Sequence, residues 1–122
     1  MRALILVISC STLIVLGQIL WKIAIDSNGG LLNSKYSILQ NVYNLAASPY
    51  MLIGILIYMF ATIFWMYLLG EYEYSFIYPL FSFTYILSII FGSVLFNEVI
   101  TIYKIIGISF IIAGIIIIFK TN

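Results

Sequence analysis

Residues 50–70 read YMLIGILIYMFATIFWMYLLG and contain no charged side chain. About 20 mostly apolar residues suffice for a helix to span the hydrocarbon core of a bilayer, since each residue adds about 1.5 Å. Lipid offers the backbone no hydrogen-bond partners, so such a run must satisfy its own polar groups as a helix. Pro49 precedes the run, where the first turn of a helix tolerates proline. The stretch predicts a transmembrane helix over residues 50–70.

Three further runs have the same character and cover residues 3–25, 76–96 and 102–119. The chain has 122 residues, of which 65% are hydrophobic and 7% charged. A soluble domain carries about a quarter charged residues, so this chain cannot cover a water-facing surface. The sequence predicts an all-α integral membrane protein, with four transmembrane helices in a single membrane domain over residues 1–122. The first run is longer than the apolar core of a signal peptide, so we expect it to remain as a span.

The segment between the first two spans, LLNSKYSILQNVYNLAAS (residues 31–48), has a different pattern. Apolar side chains recur at helical spacing, at Leu31, Leu32, Ile38, Leu39, Val42, Leu45 and Ala46. Polar side chains occupy the other side, at Asn33, Ser37, Gln40, Asn41 and Asn44. The pattern predicts a helix over about residues 33–47 that lies along the membrane surface. An irregular loop is the alternative.

Composition also excludes several kinds of site. The net charge is +1 without a basic run, which gives nucleic acid no electrostatic footprint. One cysteine and no histidine exclude a zinc site or a Cys–His nucleophile within one chain. The GxxxxGK phosphate loop is absent from the sequence. We therefore expect no metal, no cofactor, no nucleic-acid partner and no enzymatic activity.

The charge distribution does not decide the orientation in the membrane. Arg2 and Lys120 lie on one predicted face, whereas Lys35 and Lys104 lie on the other. The positive-inside rule needs a larger difference than this. Near-balance permits insertion in both orientations and hence an antiparallel pair of subunits.

Polar residues collect at one predicted membrane face, because the first and third spans end on the same side. They are Gln18, Lys22, Asp26, Asn97, Glu98 and Lys104. Lys22 lies near the end of its span, so it can extend to the interface or pair with Asp26 one turn on. Alternatively, Ser11, Val15, Gln18 and Lys22 form one stripe facing a cavity, where a cation with amide donors suits a phosphate joined to a sugar.

The third and fourth spans carry further candidates. Tyr78, Ser82 and Tyr85 share a face and either line a substrate path or hydrogen-bond to another helix. Pro79 is close enough to the start of its span to be tolerated or to bend the helix. Gly107 and Gly114 stand seven residues apart, which predicts a close helix–helix contact in a dimer interface.

The chain resembles the small four-helix branch of the drug/metabolite transporter superfamily in its four short spans and in three motifs. The motifs are GQxxxK in the first span, YPxxS in the third, and an acidic residue before the fourth. In this sequence they are Gly17, Gln18 and Lys22; Tyr78, Pro79 and Ser82; and Glu98. Two families of that branch are candidates. The chain is more similar to the subunits of the undecaprenyl phosphate–aminoarabinose flippase. Small multidrug resistance exporters instead need a glutamate in an E-x-x-G pattern, where this chain has Ile14.

The resemblance implies a multi-pass protein of the bacterial inner membrane that moves a lipid-linked sugar phosphate between leaflets. It implies a homodimer, or a heterodimer with a sister subunit, in contact with membrane lipid. Lys22 would hold the phosphate, Gln18 and Ser82 would contact polar groups, and Glu98 would orient Lys22 or gate the cavity. Export of small cationic or polar metabolites is one alternative, and a non-transporting subunit that stabilises a glycosyltransferase is another. The connection Glu71–Ser75 has no place in the family pattern.

Overall fold

The computed structural model of the protein describes residues 1–120. All regular structure in this part of the chain is α-helical. The helices are α1 (Arg2–Ser27), α2 (Ile38–Ala47), α3 (Pro49–Glu71), α4 (Tyr74–Leu80), α5 (Phe83–Phe96) and α6 (Ile102–Lys120). Four stretches are long and apolar enough to cross a bilayer: α1, α3, α4 together with α5, and α6. The predicted all-α fold with four membrane spans is confirmed, and each span begins and ends within two residues of its predicted bounds.

Contacts group the chain into two compact units. The hairpin unit is Leu13–Thr62 and contains the second half of α1, the following loop, α2 and the first half of α3. The four-span unit combines residues 1–12 with the chain from Ile63 onward, and so contains part of every span.

In the hairpin unit, α1 and α3 approach closely at two glycines. A Cβ atom at Gly17 would lie 3.1 Å from the Gly54 carbonyl oxygen, and one at Gly54 would lie 2.9 Å from the Gly17 carbonyl oxygen. Both distances are shorter than an ordinary carbon–oxygen contact. Small residues allow this backbone approach, which drives much of the association between membrane helices.

The end of α1 is a glycine turn. Gly29 has a φ of 80° and Gly30 a φ of 112°, values that side chains other than glycine rarely adopt. The Gly29 N–H donates to the Asp26 carbonyl at 3.1 Å, and the Gly30 N–H donates to the Ile25 carbonyl at 2.9 Å. These two bonds satisfy carbonyls that the helix end leaves open, and they stop α1 two residues after its predicted end.

The loop after α1 is built around Asn41, whose side chain is 2% exposed. Its Oδ1 atom accepts hydrogen bonds from Asn28 Nδ2 at 3.1 Å and from the Asn33 N–H at 3.0 Å. Its Nδ2 atom donates to the carbonyls of Asn33 and Ser37, each at 3.1 Å. Because these bonds hold residues 28–37 as a compact loop, α2 begins only at Ile38, where Ser37 and Gln40 form a capping box.

The burial of one side chain of α2, that of Asn41, differs from the amphipathic prediction. The pattern assigns Asn41 to the polar, water-facing side, yet the structure buries it, while Ile38, Leu39 and Val42 are exposed. An asparagine amide can donate twice and accept twice, which matches the backbone groups that the loop turns inward. The helix itself is present, and its position along the membrane surface stays a prediction.

In the four-span unit, the third span is interrupted at Phe81 and Ser82, between α4 and α5. Pro79 has no N–H and cannot bond to the carbonyl four residues earlier. The turn tightens after it, since the Phe81 N–H donates to the Tyr78 carbonyl at 3.1 Å and the Ser82 N–H to the Pro79 carbonyl at 3.0 Å. Trp65 of α3 packs here, with its ring centroid 4.5 Å from that of Phe81.

The last helix, α6, packs against α4 and α5. No residue of α6 is fully buried. Its apolar side chains therefore face the surroundings of the protein over much of the helix.

Candidate functional site

The solvent exposure of the predicted stripe on α1 changes along the helix. Ser11 and Val15 are buried, whereas Gln18 and Lys22 are exposed. The Ser11 hydroxyl, in the four-span unit, has no hydrogen-bond partner among the described residues. Gln18 and Lys22, in the hairpin unit, stand one turn apart on one face. The stripe thus presents an amide and an ammonium group near the end of a span.

Lys22 lies beside a carboxylate of its own helix. Its Nζ atom is 3.9 Å from Asp26 Oδ2, and the two side chains are 46% and 57% exposed. This is the pairing one turn along the helix that the sequence allows. An exposed ion pair of this kind contributes little to stability, on the order of 0–1 kcal/mol.

An aromatic wall of Trp21 and Tyr58 joins α1 and α3 in the hairpin unit. The ring centroids of Trp21 and Tyr58 are 4.9 Å apart, and the Trp21 ring lies over Gly54. The Trp21 Nε1 atom is buried without a hydrogen-bond acceptor among the described residues. A buried donor left unpaired costs about 1–3 kcal/mol. Sequence reasoning missed this wall, although a glycine in an otherwise bulky span, at Gly54, is a signal for such a contact.

Of the candidates on the third span, Ser82 already has a partner. Its Oγ atom donates to the Pro79 carbonyl at 2.6 Å, which helps satisfy the backbone at the interruption. Tyr78 and Tyr85 are both exposed. The Tyr78 ring stacks on that of Tyr74 at 5.0 Å and meets the edge of Trp65 at 5.9 Å. The interruption therefore carries one occupied hydroxyl and two exposed phenol groups.

Glu98 follows directly on a left-handed residue. Asn97 ends α5 with φ 53° and ψ 33°, a conformation that asparagine tolerates better than most residues. The Glu98 N–H donates to the Gly92 carbonyl at 3.1 Å. Its carboxylate folds back over Gly92, where a Cβ atom would lie 2.7 Å from Oε2. The backbone turn and the missing side chain at Gly92 together leave room for the carboxylate at this position.

The six predicted substrate-binding residues are divided between the two units. Gln18 and Lys22 belong to the hairpin unit. The other four belong to the four-span unit: Tyr78, Ser82, Tyr85 and Glu98. Their assignment to one substrate site stays a prediction.

The predicted dimer contact on α6 also stays a prediction. A Cβ atom at Gly107 or Gly114 would meet no other atom within 4 Å. Both positions therefore leave space beside α6 that the described residues do not fill.

Within residues 1–120, no group of three or more His, Cys, Asp or Glu side chains is arranged to hold a metal ion. Comparison of the chain with protein-family models, with curated proteins and with solved structures gives no match.

Proposed function

We propose that the chain is a subunit of a transporter in the bacterial inner membrane that moves a polyprenyl-phosphate-linked sugar between leaflets. The observation that supports this most directly is the exposed pair Gln18 and Lys22 on one face of α1, a helix long and apolar enough to cross a bilayer. Ionisable groups within such helices are costly and are commonly functional.

The chemistry of Lys22 favours a phosphate as ligand. Its ammonium group is a cation with three hydrogen-bond donors, and its exposed pairing with Asp26 is weak. A phosphate carries more charge than a carboxylate and presents several acceptor oxygens, so it competes well for Lys22. Gln18 then lies one turn deeper, where a sugar hydroxyl or a second phosphate oxygen can bond to its amide.

The turn in the third span gives further support. Phe81 and Ser82 keep helical backbone angles but bond in the tighter pattern of a 3₁₀ turn. A short stretch of this kind within a helix often marks a functional hinge. In this proposal Ser82, Tyr78 and Tyr85 contact the polar head group, and Glu98 orients Lys22 or gates the path. Two subunits enclose the path, while the polyprenyl tail remains in lipid.

The sign of the charge separates this proposal from export of a cationic drug. The four acidic residues are at or beyond the ends of the spans: Asp26, Glu71, Glu73 and Glu98. A proton-coupled exporter of cations needs a carboxylate inside the cargo site, and the corresponding position is Ile14. A site with Lys22 as its innermost charge repels cations and attracts phosphate.

The proposal is tested with the purified protein in vesicles that contain a labelled polyprenyl-phosphate sugar. The rate at which the head group becomes accessible to a membrane-impermeant reagent reports translocation. We expect Lys22→Ala to lower this rate by about 10- to 100-fold, the equivalent of one lost charge-assisted hydrogen bond. Lys22→Arg retains part of the rate. Lys35→Ala, which removes a loop lysine from the same unit, leaves it unchanged.

Two results would contradict the proposal. Wild-type protein that leaves the head group inaccessible would favour a subunit without transport activity. Resistance of cells to quaternary ammonium dyes, unchanged by Lys22→Ala, would favour the exporter.

A further inference from the structure

A cavity of about 550 Å³ lies in the four-span unit, at the end where α1 and α4 begin and α3 and α6 end. Its lining consists of Met1, Arg2, Ala3, Glu71, Tyr72, Glu73, Phe76 and Phe119. The volume is within the range of about 300–1,000 Å³ that is usual for small-molecule sites. None of these residues belongs to the transport site proposed above.

Charges of both signs line this cavity. Arg2, Glu71 and Glu73 are all exposed. Within residues 1–120, none of these three side chains forms a salt bridge within 4.0 Å or a hydrogen bond. One guanidinium and two carboxylates therefore remain available to a ligand that carries both charges.

Aromatic side chains form the rest of the wall. Phe76 is only 7% exposed, and its ring centroid is 6.4 Å from that of Phe119. Tyr72 lies between the two glutamates in the sequence. Aromatic faces attract organic cations, and carboxylates accept hydrogen bonds from an ammonium group. Arg2 provides a planar set of donors that suits a phosphate.

We propose that this cavity binds a zwitterionic head group in which a primary ammonium ion adjoins a phosphate. Glu71 and Glu73 accept the ammonium hydrogen bonds, Arg2 contacts the phosphate, and the aromatic residues cover the linking carbons. A primary amine fits better than a quaternary one, since only the former has N–H groups to donate to the carboxylates. The site is independent of the transport function proposed for Lys22.

Two sources provide this chemistry. The cavity lies at the ends of membrane spans, where the head groups of the bilayer are found, so an ethanolamine phospholipid is one. A soluble phosphoethanolamine-like compound is the other. The two are distinguished by competition.

The experiment uses the full chain in mild detergent with equal amounts of phosphatidylethanolamine, phosphatidylcholine and phosphatidylglycerol, and measures retained lipid by native mass spectrometry. We expect phosphatidylethanolamine to be retained over the other two by about fivefold, in line with the strength of partly exposed charge pairs. The double variant Glu71→Gln with Glu73→Gln loses this preference, and so does Arg2→Gln. Lys120→Gln is the matched control, because it removes a cation near the end of α6 that does not line the cavity.

Soluble phosphoethanolamine then identifies the source. Displacement of the lipid at millimolar concentration means that the head group alone is recognised, whereas retention of the lipid means that its chains contribute. Equal retention of the three lipids by the wild type would overturn the proposal. An unchanged preference in the double glutamine variant, with wild-type thermal stability, would overturn it as well.

Discussion

The indole ring of Trp21 fills the space that a side chain at Gly54 would need. A Cβ atom at position 54 would lie 2.7 Å from Trp21 Cδ1 and 2.8 Å from Nε1. The same atom would approach the Gly17 carbonyl to 2.9 Å. Glycine at this position therefore permits both the ring contact and the close approach of α1 and α3.

We predict that Gly54→Ala destabilises the protein in spite of the better helix propensity of alanine. Overpacking against a backbone carbonyl and a large ring costs about 1–3 kcal/mol, whereas the propensity gain is about 1 kcal/mol. Thermal unfolding in detergent measures the loss, and a shift of tryptophan emission reports the displaced ring. Gly70→Ala on the same helix is the control, since a Cβ there meets nothing within 4 Å. Equal stability of the two variants would contradict the close contact.

A second prediction concerns Asn41 in the loop after α1. Asn41→Leu removes the acceptor and the donors that bond to Asn28, Asn33 and Ser37, and it leaves their groups unpaired. We expect a loss of about 2–4 kcal/mol, as for several buried hydrogen bonds. Hydrogen exchange should accelerate over residues 28–37. Asn44→Leu on the exposed side of α2 should leave exchange there unchanged; similar acceleration in both variants would argue against the network.

A third prediction compares moving the Glu98 carboxylate with removing its charge. Gly92→Ala places a Cβ atom 2.7 Å from the Glu98 carboxylate, whose flexible side chain can turn away at little cost. We expect the free energy of unfolding to change by less than about 1 kcal/mol, because the displaced group is exposed. If Glu98 acts in transport, the translocation rate falls as it does in Glu98→Gln, and the double variant is no worse than either single one. A normal rate in Gly92→Ala would exclude a mechanism that needs the Glu98 carboxylate in its place over Gly92.

The fourth prediction concerns subunit assembly. Gly107→Ile with Gly114→Ile adds bulk beside α6 where the subunit has open space, so the fold of one subunit should tolerate both changes. We expect a shift from dimer to monomer in mild detergent, measured by cross-linking or by mass. Gly70→Ile places similar bulk in open space on α3 and serves as the control. A full dimer in the double variant would exclude this face as the interface.

Hydropathy alone was enough to predict the four spans, because crossing a bilayer constrains length and polarity within each segment. The interruption at Ser82 was only partly predictable. Pro79 marks the region, but where the helix restarts depends on local bonds such as that from Ser82 Oγ to the Pro79 carbonyl.

The burial of Asn41 and the pairing of Gly17 with Gly54 could not be read from one segment. A helical pattern assigns asparagine to the polar side, since it contains no information on a loop that turns its carbonyls inward. The glycine pair joins positions on two different spans, and periodicity within one span does not identify its partner. The same reason leaves the relation between Lys22 and Glu98 a prediction.

The hairpin unit also has a consequence for the order of biosynthesis. The contacts described for Trp21 and Asn41 have all their partners within Leu13–Thr62. Translation proceeds at about 5–20 residues per second, so residues 72–122 need several more seconds to emerge from the ribosome. The first two spans can therefore enter the membrane and pair as a helical hairpin while the rest of the chain is still being made.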